Sequence, residues 1–183
     1  MGNTITNEKN FDLKSQVSSL LLASNEFLLT KGHEIDFEHI EELSERLFNV
    51  LSWLSFKCGV KKFKIELGVF FDNYNEFTIN RWFEMKNGEI KNLGGGINII
   101  KFDFDQRLRG IDIGRGIFII DVSFSDEFSD SWFKLENSLE RSKVLSEIEK
   151  FIRIYFLVSY IGVNPGGVHF EIPVKFDVFK YII

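Results

Sequence analysis

Two segments near the N-terminus repeat their hydrophobic residues at helical spacing. Apolar side chains recur every three or four residues from Asp12 to Lys31, and a second stripe of the same kind runs from Asp36 to Cys58. Gly32, directly after a lysine, is a typical helix stop. Because only a few residues separate the two stripes, the pattern predicts two helices that pack as an antiparallel hairpin.

From Lys61 onward the hydrophobic residues alternate with polar ones, which is the pattern of half-buried strands. Consecutive strands joined by short turns pair in an antiparallel fashion. Pro173 lies within the last alternating segment, and proline in a strand favours an edge position or a bulge. The main alternating segments are residues 61–71, 77–85, 97–105, 117–124 and 168–181.

The dipeptide Asn87–Gly88 is the most specific local signal in the chain, because it is favoured in two-residue type I′ hairpin turns. A turn of this length fixes the register of the two flanking strands. Two pairs of opposite charge and two apolar pairs then face each other across the hairpin. The predicted pairs are Lys86 with Glu89, Met85 with Ile90, Glu84 with Lys91, and Trp82 with Leu93.

A third helical stripe is predicted from about Trp132 to Tyr160, with Asn137–Ser138 as a point where it can break. The order of elements is therefore two helices, five strands, one helix and a last strand. Helices grouped towards the ends of the chain, around consecutive strands, indicate an α+β fold with a five- to six-stranded, mainly antiparallel sheet. We expect a single domain over residues 1–183, with residues 1–10 flexible.

Composition narrows the classes of protein to which this fold can belong. The net charge of −5 and the pI near 5.3 argue against a general nucleic-acid binder or a protein that binds anionic membranes. Cys58 is the only cysteine, which excludes a disulfide within the chain and a cysteine-based zinc site. The sequence shows no signal-peptide pattern and no apolar run that approaches ~20 residues, so we expect a cytoplasmic protein.

One stretch carries candidate chemistry. Three glycines at positions 94–96 precede Asp103 and Asp105, and Asp121 follows on a later predicted strand. In this order the residues resemble the metal-binding segment of nucleotidyltransferases of the polymerase-β type, which implies phosphoryl or nucleotidyl transfer with two metal ions held by shared carboxylates. That family has a helix between the glycine turn and the aspartate pair, whereas this sequence predicts a strand. The alternative interpretation is a tight turn followed by a strand whose aspartates face water.

The connection after this strand is locally basic. Arg107, Arg109 and Arg115 can bind a phosphate or carboxylate group in a bidentate manner, or they can belong to a solvated loop. The three histidines show no metal-binding helical spacing, and the chain presents no complete Ser-His-Asp or Cys-His set. We therefore expect neither a metal nor a cofactor, and a catalytic hypothesis rests on the three aspartates alone.

The side of the sheet that alternation turns away from the helices is only partly polar. Large apolar side chains on this side accompany Asp121, His169 and Glu171, and a mixed aromatic and acidic face is typical of a surface that binds another protein chain. The alternative is that one helix covers this side. The predicted partner-binding residues are Phe70, Trp82, Ile99, Ile117 and Ile119.

These observations lead to three hypotheses of function. The leading one is a non-enzymatic intracellular protein-binding module, such as an acidic inhibitor or immunity-type protein that blocks its partner. The partner would be a different protein or a second copy of the chain. The alternatives are the metal-dependent transferase described above and a domain that binds a small ligand between sheet and helices.

Overall fold

The computed structural model describes residues 7–30, 33–36, 40–72, 75–86, 89–101, 115–175 and 177–180. The helices are α1 (Asn7–Thr30), α2 (Ile40–Lys57), α3 (Asp126–Phe133) and α4 (Ser138–Tyr155). The strands are β1 (His33–Asp36), β2 (Val60–Asp72), β3 (Asn75–Lys86), β4 (Glu89–Gly94), β5 (Ile97–Lys101), β6 (Arg115–Phe124), β7 (Tyr160–Asn164), β8 (Gly167–Lys175) and β9 (Asp177–Lys180).

Seven strands form the main sheet, and every pairing described in it is antiparallel. The strand order is β4-β3-β2-β6-β8-β7, and β5 also pairs with β3. Strand β4 lies along residues 82–86 of β3 and β5 lies along residues 75–79, so β4 and β5 together form one interrupted edge strand. The predicted α+β class and antiparallel sheet are confirmed, with more strands than the five or six expected.

One hydrophobic core joins the helices to the sheet. The buried large apolar residues of β2, β3, β6 and β8 occupy alternate positions, so the helices that bury them lie on a single face of the sheet. The ring of Phe27 in α1 stacks on that of Phe77 in β3, with the centroids 4.7 Å apart. Helix α4 contributes the fully buried Ile148 and packs on α2, where the Trp53 and Phe151 rings are 4.0 Å apart.

Helix α1 has 24 residues and begins at Asn7. It therefore includes residues 7–10, which were expected to be flexible, and starts before the predicted Asp12. Its buried side chains, among them Leu13, Val17 and Leu20, belong to the common core. Within the described ranges, no helix combines the length and the hydropathy that a membrane crossing requires.

The predicted direct connection between the first two helices is wrong. Helices α1 and α2 do contact each other, but β1 lies between them in the chain and pairs with β9. Asp36, expected to start the second helix, is the last residue of β1, and α2 begins at Ile40. The pairing of β1 with β9 joins segments from opposite ends of the chain, so the local pattern of residues 33–36 could not signal it.

The segment predicted as one helix, from Trp132 to Tyr160, contains the end of α3, the whole of α4 and the first residue of β7. The break lies where the sequence placed it, since the Asn137 side chain caps α4 by accepting a hydrogen bond from the Leu139 N–H at 2.8 Å. The chain is extended after α4, and Phe156 and Val158 reach the core at alternate positions. Tyr155 and Val158 are three residues apart, a spacing that also fits a helical stripe, which explains the wrong assignment.

The hairpin around residues 84–91 confirms the predicted register at three positions. The turn residues Asn87–Gly88 themselves lie outside the described residues. The confirmed pairs are Lys86 with Glu89, Met85 with Ile90, and Glu84 with Lys91.

The fourth predicted pair, Trp82 with Leu93, is wrong. Phe83 lies opposite Asn92 and Trp82 lies opposite Gly94, which leaves Leu93 as the extra residue of a β-bulge. The side chain of Asn92 stabilises this bulge, because its Oδ1 accepts a hydrogen bond from the Gly94 N–H at 2.7 Å.

Pro173, predicted at an edge or a bulge, lies in an inner strand of the main sheet, but at a position where β8 pairs with β6 and not with β7. On one side Pro173 lies opposite Ile117 of β6, whereas on the other side β7 pairs with β8 only at residues 167–171. The proline therefore interrupts no pairing between β7 and β8, although it has no N–H to donate.

Candidate functional site

The glycine run at residues 94–96 lies where the edge strand passes from β4 to β5. A β-carbon on Gly95 would lie 1.8 Å from the carbonyl oxygen of Asn80 in β3, and Gly94 has a φ of 92°, a region that favours glycine. Asn80 makes two hydrogen bonds to the kink that these glycines form between β4 and β5. Its N–H donates to the Gly96 carbonyl at 3.0 Å, and its side-chain oxygen accepts from the Gly96 N–H at 3.1 Å. The glycines thus permit the close approach of two backbones, and the run leads into a strand.

Of the three aspartates in the candidate metal site, only Asp121 is described, because Asp103 and Asp105 lie outside the described residues. Both carboxylate oxygens of Asp121 have protein partners. Oδ1 lies 2.6 Å from His169 Nδ1, and Oδ2 lies 3.3 Å from Lys64 Nζ. Among the described residues, no group of three or more His, Cys, Asp or Glu side chains is placed to hold a metal ion.

Other predicted site residues are located only in part. Arg107 and Arg109 lie outside the described residues, and Arg115 is the first residue of β6. Phe70 lies in β2, opposite Glu76 of β3. The anion-binding role of the three arginines stays a prediction.

We call the side of the main sheet that faces away from the helices the outer face. The described helices bury the opposite side, and α3 borders one end of the outer face. Charged, polar and apolar side chains of five strands are mixed on it. Its central residues are Lys62, Lys64 and Glu66 of β2, Asn80 and Trp82 of β3, Ile117, Ile119 and Asp121 of β6, Tyr160 of β7, and His169 and Glu171 of β8.

One row of contacting side chains crosses the outer face from β3 to β8. Lys64 lies opposite both Trp82 and Asp121, and Asp121 lies opposite His169. The Nζ atoms of Lys62 and Lys64 each lie 5.4 Å from the centroid of the Trp82 ring, which is the geometry of a cation–π contact. Trp82 is therefore half-buried beneath two lysine side chains, not beneath a helix.

Further contacts extend this row to β7. His169 Nε2 lies 3.4 Å from Glu171 Oε1, so both ring nitrogens of His169 face carboxylates, and a neutral imidazole can donate to only one of them. The Tyr160 ring meets the imidazole edge to face, with the centroids 5.7 Å apart. Glu66 lies 3.5 Å from Lys64 Nζ, and these two side chains expose only 17% and 18% of their surface. Close contacts hold the charged groups at the centre of the outer face in place.

The apolar part of the outer face forms two separate patches. Ile117 and Ile119 lie on β6, and both are half-buried. They share this face with Trp82, as the alternation predicted, but Lys64 and Glu66 on β2 lie between the two isoleucines and the tryptophan.

The prediction that Ile99 shares the outer face is wrong. Ile99 lies opposite Phe77 and Ile97 lies opposite Ile79, whose side chains are buried on the helix side of β3. The prediction assumed unbroken alternation through the glycine run. The bulge at Leu93 and the kink after it change which positions of the edge strand face outward.

Between the described parts of the sheet and the helices lies one small apolar cavity. It lies among apolar side chains of both layers, and its volume of about 10 Å³ holds about one water molecule. Small-molecule sites usually have volumes of a few hundred Å³. The cavity is lined by Val17, Leu43, Leu47, Ile65, Phe118, Ile120, Phe156 and Ile172.

A larger groove of about 420 Å³ opens at the end of the outer face, beside α3. A bulge in β2 at Lys61 borders it, and Lys61 Nζ lies 3.4 Å from Asp126 Oδ1 across it. Lys62, Glu84 and Ser123 belong both to this groove and to the outer face, so the groove continues the same surface.

The single cysteine lies in the core and not at this surface. Cys58 is 3% exposed, and burial raises the pKa of its thiol to about 12. The thiol therefore stays protonated at neutral pH, whereas a nucleophilic cysteine acts as the thiolate.

Comparison with protein-family models, curated proteins and solved structures found no match to this chain. Function is therefore inferred from the geometry of the outer face. Alternation alone placed Asp121, His169 and Glu171 on this face. It missed Tyr160, because this residue was assigned to a helix. It also could not show that β6 and β8 are neighbours, because the hydrophobic pattern of one strand does not determine the order of strands in the sheet.

Proposed function

We propose that the protein is a non-enzymatic protein-binding module of the inhibitor or immunity type, and that the outer face is the surface that binds and blocks its partner. The observation that carries this proposal is the position of the face. The described helices bury the other side of the sheet, and large apolar residues remain on this side among charged ones. Mixed surfaces of this kind are typical of protein–protein interfaces.

The contacts across the outer face support binding in a second way. In the free protein, the Asp121 carboxylate already contacts both Lys64 and His169. Side chains that are fixed in advance lose less conformational freedom on association, which leaves more of the interaction energy for affinity. The face is thus a pre-organised surface on a rigid sheet.

Charge indicates the chemistry of the partner. Three carboxylates, those of Glu66, Asp121 and Glu171, lie at the centre of the face with two lysines and one histidine, and the whole chain carries a net charge of −5. A partner surface that presents cationic groups around an apolar contact would complement this arrangement and associate faster with it.

A matched pair of variants tests the proposal. Ile119→Lys removes an apolar side chain at the centre of the face, and its neighbours Glu66 and Glu171 on the adjacent strands favour the new cation, so the fold is retained. Leu22→Lys makes the same change at a 61% exposed position of α1, on the helix side of the molecule. The tagged wild-type chain and both variants are used to capture proteins from the native host, and captured proteins are quantified by mass spectrometry.

We expect a specific partner to be retained by the wild type and by Leu22→Lys, and to be reduced more than about tenfold by Ile119→Lys. Trp82→Glu, in which the new carboxylate meets Lys62 and Lys64, should have the same effect. Equal recovery with both outer-face variants would contradict the proposal. Calorimetric binding of magnesium or manganese that is lost in an Asp103→Ala, Asp105→Ala variant would instead support the transferase hypothesis.

A further inference from the structure

The two ends of the main sheet differ in how their edges are protected. At one end, β4 carries Glu89 and Lys91 and contains the bulge at Leu93, features that keep edge strands from pairing with other chains. At the other end, β7 has the sequence Tyr-Ile-Gly-Val-Asn, without a charged residue or a proline. Within the described part of the chain, no strand pairs with the outer side of β7.

The register of the β7–β8 hairpin shows which backbone groups face this open side. Asn164 and Gly167 flank a two-residue turn and form a hydrogen-bonded pair, so the alternating pairs at Gly162 and Tyr160 are of the same type. Ile161 and Val163 must then direct their N–H and C=O groups away from β8. No backbone hydrogen bond joins either residue to any other described segment.

Exposed apolar side chains precede this edge. Leu157 is 85% exposed and Ile154 is 76% exposed, and both lie in the six residues before β7. Among the described large hydrophobic residues, only Phe56 on α2 is as exposed as these two, at 78%. An uncharged strand with unpaired N–H and C=O groups is a template on which another strand can pair.

We propose that β7 pairs with β7 of a second copy of the chain, antiparallel about a two-fold axis at Gly162, and so joins two sheets into one. In this register Ile161 lies opposite Val163 of the second copy, and the outward N–H and C=O groups of both residues are paired. In a two-fold contact, the same segment of both copies meets, so each residue lies near its own counterpart or near a close neighbour of it. An uncharged strand meets no like-charge repulsion in such a contact. Gly162 at the centre has no side chain of its own, and the Tyr160 hydroxyl lies over it, 3.0 Å from where a β-carbon would be.

This dimer does not depend on the proposed function. The outer face stays accessible and continues across the axis into the outer face of the second copy. A partner protein could therefore bind to either copy, and each of the two proposals can fail without the other.

The test is the mass of the full chain in solution, measured by light scattering over a range of concentrations. We expect twice the monomer mass of 21.4 kDa for the wild type. Val163→Pro removes an outward N–H but no bond to β8, and Leu157→Glu places a charge in the exposed apolar segment that leads into β7. Both should weaken dimerisation by more than about tenfold. Phe56→Glu, an equally exposed position on α2, should leave the dimer unchanged.

Hydrogen exchange gives an independent readout. The amides of Ile161 and Val163 should be protected at high concentration and lose protection on dilution, whereas the Gly162 amide, bonded to β8, should stay protected. A wild-type monomer at ~100 μM would overturn the proposal. A dimer that persists in Leu157→Glu, with unprotected Ile161 and Val163 amides, would overturn it too. If Val163→Pro does not fold by circular dichroism, the exposed Leu157 position and the exchange pattern decide alone.

Discussion

At the scale of single residues, Gly95 is, among the glycines for which the structure gives a close contact, the one where a β-carbon would come nearest to another atom. A β-carbon there would overlap the carbonyl oxygen of Asn80, at 1.8 Å, while a β-carbon on the neighbouring Gly96 would meet nothing within 4 Å. The two glycines lie in the same kink and differ in this respect, so they form a matched pair for substitution.

We predict that Gly95→Ala lowers the free energy of unfolding by roughly 1–3 kcal/mol, because the edge strand must move away from β3. Gly96→Ala should change it by less than about 0.5 kcal/mol, or stabilise the protein slightly by restricting the unfolded chain. Urea unfolding of the two variants, followed by circular dichroism, measures both values. Equal effects would mean that the close approach of Gly95 to Asn80 does not constrain the edge strand.

For single residues, the sequence predicted only which side of the sheet a strand side chain faces, because this follows from alternation along the strand. The alternation placed Asp121 and His169 on the same side of the sheet. Their contact at 2.6 Å depends on β6 lying beside β8, and the pairing of the two strands skips α3, α4 and β7 in the chain. For Ile99 the prediction failed. The bulge at Leu93 in β4 changes which alternate positions of the edge strand face outward, whereas the sequence analysis assumed unbroken alternation.

At the scale of elements, boundaries were predictable where a residue type has a defined local role. Asn137 caps α4 at the break that the sequence predicted, and the Asn87–Gly88 dipeptide predicted the register of its hairpin at three pairs. Strands β1 and β9 have no such signal, because each is short and each is stabilised by a partner from the other end of the chain.

The cap of α4 gives a prediction at this scale. The Asn137 side chain accepts the Leu139 N–H at 2.8 Å, one of the donors that a helix start leaves without a partner. Asn137→Ala should therefore lower the free energy of unfolding by about 1 kcal/mol, and Asn137→Asp should restore most of it. Ser138→Ala, at the first helical position, serves as the control and should be nearly neutral. A neutral Asn137→Ala variant would show that water replaces the cap without loss.

At the scale of the whole molecule, a single core links the helix layer to the sheet. Buried residues of α1, α2 and α4 lie in the same cluster as those of β2, β3, β6 and β8. Apolar burial supplies most of the stabilisation of a domain of this size, so separate unfolding of one layer would expose the apolar side of the other. This is the physical basis for the single domain expected from the length of the chain.

We therefore predict one cooperative unfolding transition. Circular dichroism at the helix band and fluorescence of the three tryptophans, which lie on α2, β3 and α3, should report the same midpoint in urea. Ile148→Ala, which removes a fully buried side chain of α4, should cost about 2–5 kcal/mol and shift both probes equally, because the cavity lies in a core that both layers share. If the helix signal is lost in Ile148→Ala while the fluorescence midpoint stays at its wild-type value, α4 unfolds independently of the sheet. The main sheet, including both the outer face and the β7 edge, would then have to be stable without that helix.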